Sequence, residues 1–178
     1  MIRLLPIAAD NLFDICELTT NPDGLPTPVE GYLCCNGSSI AEACYFPDMV
    51  PLGIYADDVP VGFVMYRHRS GESSAMLLRL MIDHRFQHRG YGRQALRLTL
   101  DRLRRAGVRQ VTLGVDDANR IAKRLYASFG FVFTGTVEKG EQIYRLEWET
   151  PVGGPANQAG PPTGCLRAPV PGRRRAYE

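Results

Sequence analysis

The chain has 178 residues, 44% of them hydrophobic and 22% charged, with a formal net charge of +2. Such a chain can bury a substantial core and needs no second domain to do so. It contains no apolar run of the ~18 residues that a membrane helix requires, and its first residues lack the apolar core and cleavage site of a signal peptide, so a cytoplasmic protein is expected.

In chain order, Ile2 to Ile7 reads as a first strand, and Ala8 to Thr20 as a helix with Leu12, Ile15 and Cys16 at helical spacing and Asp10 as its N-cap. Asn21-Pro22-Asp23-Gly24 breaks it, and a Pro- and Gly-rich stretch from Leu25 to Gly37 follows. Ser38 to Ala43 begins a short helix with Ser39 and Glu42 at capping-box spacing, limited by Pro47. Leu52 to Ala56 and Val61 to Arg69 are β-rich runs joined by the turn signal Asp57-Asp58-Val59-Pro60, and Ser74 to Ile82 adds another strand. Gly92 to Ala106 is the clearest helix, with Ala95, Leu96, Leu98, Leu100 and Leu103 on its apolar side and Gly107 at its end. Val108 to Val115 is a strand, Ala118 to Gly130 a helix, and Phe131 to Thr136 with Gln142 to Trp148 a closing hairpin.

This order predicts an α/β fold with a mixed, largely antiparallel central sheet flanked by about four helices. The domain is expected over residues 1–150. From Pro151 to Glu178 the chain is rich in proline and glycine, carries Arg173-Arg174-Arg175 and has few large apolar residues, which reads as an inert disordered tail. Cys16, Cys34, Cys35, Cys44 and Cys165 are odd in number and lack the paired spacing of a zinc site, so reduced structural thiols and no metal are expected.

Two stretches carry chemistry. Gln87-His88-Arg89-Gly90-Tyr91-Gly92 lies between the strand that ends at Ile82 and the clearest helix. Glycines there let the backbone approach a ligand, and the first N–H groups of the helix have no intrahelical partner, so the turn suits a pyrophosphate. Arg85, Arg89 and Arg93 add positive charge at the same place. Downstream, Asn119, Ala122 and Tyr126 fall on one helix face ahead of Gly130-Phe131.

With both stretches present in this order and separation, the chain resembles the GNAT superfamily of acetyl-CoA-dependent N-acetyltransferases over about residues 1–149. The resemblance implies acetyl-CoA as co-substrate, bound by Gln87, His88, Arg89, Gly90, Tyr91, Gly92 and Arg93 at the phosphates and by Asn119, Ala122 and Tyr126 nearer the thioester. Backbone groups of Met81 and Ile82 are expected to pair with the pantetheine amides. It also assigns Tyr126 as the acid that protonates the departing thiolate, against the alternative of a core tyrosine; Asn119 either meets the cofactor or caps its helix, or both. A phenol near pKa ~10 gives its proton uphill to a thiolate whose acid is near ~8.5, so transfer late in departure is required.

Many relatives carry a general-base glutamate on the strand equivalent to Ala75–Ile82, and this chain has none there. A water chain to an acidic residue is the expected substitute, with Glu42, Asp57 and Asp83 as candidates for acceptor binding. Ser38 to Ala43, Ile54 to Met65 and Leu78 to Asp83 resemble the bacterial diamine and polyamine acetyltransferases within the superfamily, which implies spermidine or spermine as acceptor. Residues 1–66 hold one basic and nine acidic side chains, whereas residues 67–150 hold sixteen basic and nine acidic ones, a split that suits a cationic acceptor beside an anionic cofactor. Protein N-termini, ribosomal proteins and aminoglycosides are alternative acceptors, and an acyl-CoA-binding sensor is the non-enzymatic reading. No nucleic-acid or membrane partner is expected; oligomeric state is not readable from the residues, and the family resemblance admits a homodimer.

Overall fold

The computed structural model describes residues 1–22 and 35–148. The tail reading for residues 151–178, and the readings for Cys34 and Cys165, lie outside the described residues. The elements are β1 (Ile2–Pro6), α1 (Leu12–Cys16), α2 (Asn36–Tyr45), β2 (Met49–Ala56), β3 (Val59–Arg67), β4 (Ser74–Ile82), α3 (Tyr91–Arg105), β5 (Gln110–Asp116), α4 (Arg120–Ala127), β6 (Val132–Glu138) and β7 (Glu141–Glu147). A short 3₁₀ turn at His84–Phe86 joins β4 to the approach to α3.

All strands form one seven-stranded sheet in the order β1-β2-β3-β4-β5-β7-β6. Every pairing is antiparallel except β4 with β5, which run parallel. The fold is therefore the mixed, largely antiparallel α/β architecture expected, in the expected element order. Alternate residues of each strand face opposite sides, which gives the sheet two cores. On one side Ile54, Val64, Leu77, Val111 and Leu113 pack with Leu96, Leu100 and Leu103 of α3 and with Tyr126 of α4. On the other side Phe63, Met65 and Met49 pack with Ile15 of α1, Leu18 beyond it and Ala43 of α2.

The helix ends differ from expectation for local and tertiary reasons. The first helix covers only Leu12–Cys16, with Asn11 rather than Asp10 at its N-cap position. It stops because Thr19 is claimed from outside: its N–H donates to the Asp83 carboxylate at 3.1 Å and its carbonyl accepts from the His84 N–H at 2.9 Å. The second helix starts two residues earlier than read, with Cys35 at the N-cap position, so Ser39 is a buried mid-helix residue and the capping box with Glu42 does not form. The longest helix is displaced by a single residue and closes on Gly107, whose φ of +87° suits glycine. Cys35 and Cys44 are exposed rather than packed as structural thiols.

Two irregularities position the site. The β3–β4 register slips between Met65 and Tyr66, whose partners are Arg79 and Leu77, leaving Leu78 as an extra residue on β4. At the same point β4 parts from β5: their parallel pairing runs from Ser74↔Gln110 to Leu77↔Leu113 and goes no further. Beyond Leu77, β4 continues on β3 alone, and a wedge opens in the middle of the sheet.

Candidate active site

The wedge is a cleft of about 200 Å³ lined by Met76 to Leu80 of β4, Gly114 to Asp116 of β5, Asn119, Ala122 and Tyr126 of α4 and its N-cap, and Lys139, Gly140 and Glu141. Its existence follows from the parted strands: beyond Leu77, β4 has no neighbouring strand on its β5 side. A buried strand edge of that kind is matched by an amide-bearing ligand laid along it.

Asn119, Ala122 and Tyr126 come together on the cleft wall, as their three- and four-residue spacing implies. Asn119 is the N-cap of α4, its Oδ1 accepting from the Ala122 N–H at 3.0 Å. Its side-chain amide nitrogen has no hydrogen-bond partner among the described residues, so capping leaves a donor to spare. Tyr126 is buried, with its ring edge-on to Phe131 at 5.7 Å between centroids. Burial, and then the negative charge of Glu141, push its phenol up to about 12. The hydroxyl therefore carries its proton throughout the physiological range, and giving it up to a thiolate is further uphill than for an unperturbed phenol.

The turn from Gln87 to Arg93 lies past the C-terminal end of β4, outside the lining of the cleft. Gly90 is the N-cap residue of α3 at φ +75°, a left-handed conformation also taken by His88 at +62°. A Cβ at Gly90 would meet nothing within 4 Å, so the glycine serves the backbone shape and the space it leaves, not internal packing. The first helical bond is from the Gln94 N–H to the Gly90 carbonyl at 3.2 Å, and the N–H groups of Tyr91, Gly92 and Arg93 have no acceptor among the described residues. Free N–H groups at a helix N-terminus suit an anion, which the helix dipole also favours. The Gln87 side chain donates to the Ile82 carbonyl at 3.0 Å and braces the turn. Arg93 donates to Ser128 Oγ at 2.8 Å and stacks over Phe129, tying the turn to the end of α4. Arg89 lies over Phe86 and donates to the Arg85 carbonyl at 3.3 Å.

Met81 and Ile82 lie one step past the cleft. The Met81 side chain packs in the α1–α2 core, and the Ile82 carbonyl already accepts from Gln87. The cleft itself borders β4 at Met76 to Leu80, where the extra residue at Leu78 marks the point at which β4 leaves its neighbour.

The three acidic candidates do not gather at the cleft. Asp83 is fully buried, and its oxygens accept from Thr19 N–H at 3.1 Å, Arg85 N–H at 2.9 Å, and Arg85 Nε and Nη2 at 2.8 and 3.1 Å. Burial pushes its carboxyl up, but the bonds from Arg85 and Thr19 outweigh that and hold it below the usual range. It is a structural clasp between the α1 loop and the phosphate turn, with no lone pair left for an acceptor. Asp57 sits at the exposed β2–β3 turn, paired with the Met1 amino group at 2.6 Å. Glu42 is on α2, 3.9 Å from Arg79 Nη2, and meets the cleft only through that arginine.

The acidic excess of residues 1–66 is likewise partly spent: Asp48 pairs with Arg67 and Arg69, and Asp58 with Arg3. The charged groups on the described cleft wall are Arg79, Lys139, Asp116 and Glu141, a balanced set rather than an acidic one. Arg79 donates through Nη1 to the Leu78 carbonyl at 2.8 Å, and its buried Nε has no partner among the described residues.

The model of the acetyltransferase (GNAT) family matches residues 18–131. A spermine/spermidine N(1)-acetyltransferase of Bacillus subtilis is 27% identical over 150 residues, covering 80% of this chain and 95% of the relative. A probable spermine N(1)-acetyltransferase of Bacillus subtilis subsp. natto is 26% identical with the same coverage. Among solved structures, the PaiA N-acetyltransferase of Thermoplasma acidophilum, in complex with coenzyme A, is 18% identical with a TM-score of 0.65 over 83% of this chain and 99% of that one. The matched span contains the parted strands, the phosphate turn and the Asn119–Tyr126 face, and the chain belongs to the acetyltransferase (GNAT) family as an acetyl-CoA-dependent N-acetyltransferase.

Proposed function

We propose that this enzyme transfers the acetyl group of acetyl-CoA to a primary amine of a small polycationic acceptor, spermidine or spermine, by direct attack in a ternary complex. The observation that carries the choice of acceptor is the likeness to a spermine/spermidine N(1)-acetyltransferase, which extends over 95% of that relative's length.

The residues divide the work along the cleft. The α3 N-terminus and the Gln87–Gly92 turn hold the pyrophosphate, with Met81 and Ile82 marking where the cofactor passes from the turn onto β4. Leu78 to Leu80 pair with the pantetheine amides, and the spare donor of Asn119 reaches the same arm. Ala122 keeps the wall low beside it. Tyr126 delivers a proton to the sulfur as it leaves. Since the phenol is a weaker acid than the thiol it makes, delivery follows sulfur departure and is completed by a proton from the amine nitrogen. Positioning of amine against thioester supplies much of the acceleration. A cytoplasmic location and a homodimer belong to the same proposal and are checked by fractionation and light scattering.

The test is product identification. Purified protein is incubated with acetyl-CoA and a panel of spermidine, spermine, putrescine, an aminoglycoside and N-terminal peptides, and each amine is then examined by mass spectrometry. Acetylated spermidine or spermine is expected as the main product. Acetylated peptide or aminoglycoside alone would overturn the acceptor, and acetyl-CoA binding without any product would favour the sensor reading.

A further inference from the structure

Strand β4 carries no carboxylate from Ala75 to Ile82, and Glu42, Asp57 and Asp83 are engaged elsewhere, so among the described residues a carboxylate that receives the acceptor amine is sought on another element. Among the described lining residues there are two carboxylates, Asp116 and Glu141. They face each other across the β5–β7 pair, Asp116 being the last residue of β5 and Glu141 the first of β7. Asp116 is engaged in a local turn, its Oδ1 accepting from the Ala118 N–H at 2.7 Å. Glu141 has no hydrogen bond or ion pair from its carboxylate among the described residues.

Its position depends on Gly114. A Cβ placed on Gly114 would overlap Glu141 Oε2 and lie 3.0 Å from Glu141 Cδ and 3.2 Å from its Cβ. The glutamate is therefore folded down over a stretch of bare backbone, and any side chain at residue 114 would push it out. Gly114 is the residue after Leu113, the last on β5 to pair with β4, so the carboxylate rests in the throat of the wedge where the two strands separate. Its charge is felt at Tyr126. The other titratable or charged groups that line the cleft with it are Asp116 from β5, Tyr126 from α4, Arg79 from β4 and Lys139 from the β6–β7 turn.

We infer that Glu141, seated over Gly114, is the carboxylate that receives the acceptor amine: it holds the ammonium beside the thioester and takes the proton that must leave before the nitrogen can attack. The inference rests on the amine-acetylation reading above. The ammonium gives one proton to Glu141, which passes it to solvent. The freed lone pair forms the nitrogen–carbon bond to the acetyl group as the carbon–sulfur bond breaks. The sulfur gains its proton from Tyr126, and Tyr126 is reprotonated by the second proton of the nitrogen. The products are an N-acetylated amine, coenzyme A thiol and one released proton.

Glu141→Gln keeps the shape and removes the charge. It is expected to lower kcat about 100-fold and raise the amine KM, while acetyl-CoA affinity by calorimetry stays within about two-fold. The kcat of the variant should climb about ten-fold per pH unit between pH 6 and 8, since it depends on amine that is already neutral, where wild type is flatter; Glu141→Asp should restore part of the rate. Gly114→Ala should mimic Glu141→Gln, and the double variant should be no worse than either, because both remove one carboxylate from one place. The assay uses whichever panel amine the wild type acetylates fastest, so a wrong acceptor class leaves the test of Glu141 intact. If the wild type acetylates none, the affinity of the coenzyme A-saturated protein for spermidine is measured instead, and a loss of ten-fold or more in Glu141→Gln is expected. A folded Glu141→Gln within two-fold of wild type in kcat/KM across this pH range, or in spermidine affinity in the second case, overturns the inference.

Discussion

The two ends of the proposed site, the turn before α3 and the cleft between β4 and β5, are built on different principles. The phosphate end is made by one continuous stretch, Gln87 to Arg93, in which two left-handed residues and a helix N-terminus present donors to an anion. The acceptor end is assembled from β4, β5, α4 and β7, whose contributions meet only because β4 leaves β5 after Leu77. A local device tolerates changes elsewhere in the fold and fails when its own backbone is altered. A device assembled from four elements depends on register, so it is sensitive to residues that never touch a ligand.

The largest effect that would sharpen this contrast is expected at Gly90. Gly90→Glu forces a side chain into the left-handed region at about 1–2 kcal/mol and puts negative charge where phosphates bind. Acetyl-CoA affinity should fall more than about 100-fold by calorimetry with the fold intact, and unchanged affinity would break the assignment of the turn. Tyr126→Phe acts at the other end. Turnover should drop by about 100-fold with acetyl-CoA affinity nearly unchanged, and an unaltered rate would mean that solvent protonates the thiolate.

Asp83→Asn tests the clasp between the α1 loop and the turn before α3. Losing the charged acceptor of Thr19 and Arg85 should cost about 1–3 kcal/mol by chemical denaturation near neutral pH. Because the folded carboxyl is held below its unfolded value, its stabilisation is full above that unfolded value and is lost as pH falls through the folded one. The gap between wild type and variant should therefore narrow as pH is lowered below about 4, and a gap that widens would contradict the clasp. The smallest effect is expected for Asn119→Ala. The lost cap should cost about 1 kcal/mol, with a several-fold rise in acetyl-CoA KM if the spare amide also meets the cofactor.

The same contrast explains what the sequence revealed. Gly90 with its arginines, and Asn119, Ala122 and Tyr126 at helical spacing, are patterns within single elements, and they were legible. The order of strands and helices was legible too, since alternation and helical periodicity are local signals. Glu141 was not, because nothing around it in the chain distinguishes it from a turn-flanking surface residue. Its only trace is Gly114, an isolated glycine inside a strand, which marks close approach without naming what approaches. Glu42, Asp57 and Asp83 are acceptor candidates only as acidic residues near the expected acceptor side, the first two within the acidic span of residues 1–66 and Asp83 just after β4. Pairing with Arg79, the Met1 amino group and Arg85 is a tertiary outcome that composition does not carry. The first helix ended early for the same kind of reason, its last residues being taken by Asp83 and His84.

The central claim, acetyl transfer to a polyamine, is tested most directly by measuring kcat/KM for spermidine and for an N-terminal peptide on the same wild-type preparation, by release of free thiol. A preference of ten-fold or more for spermidine is the predicted result. A preference for the peptide would contradict the account of the acceptor while leaving the phosphate end as described.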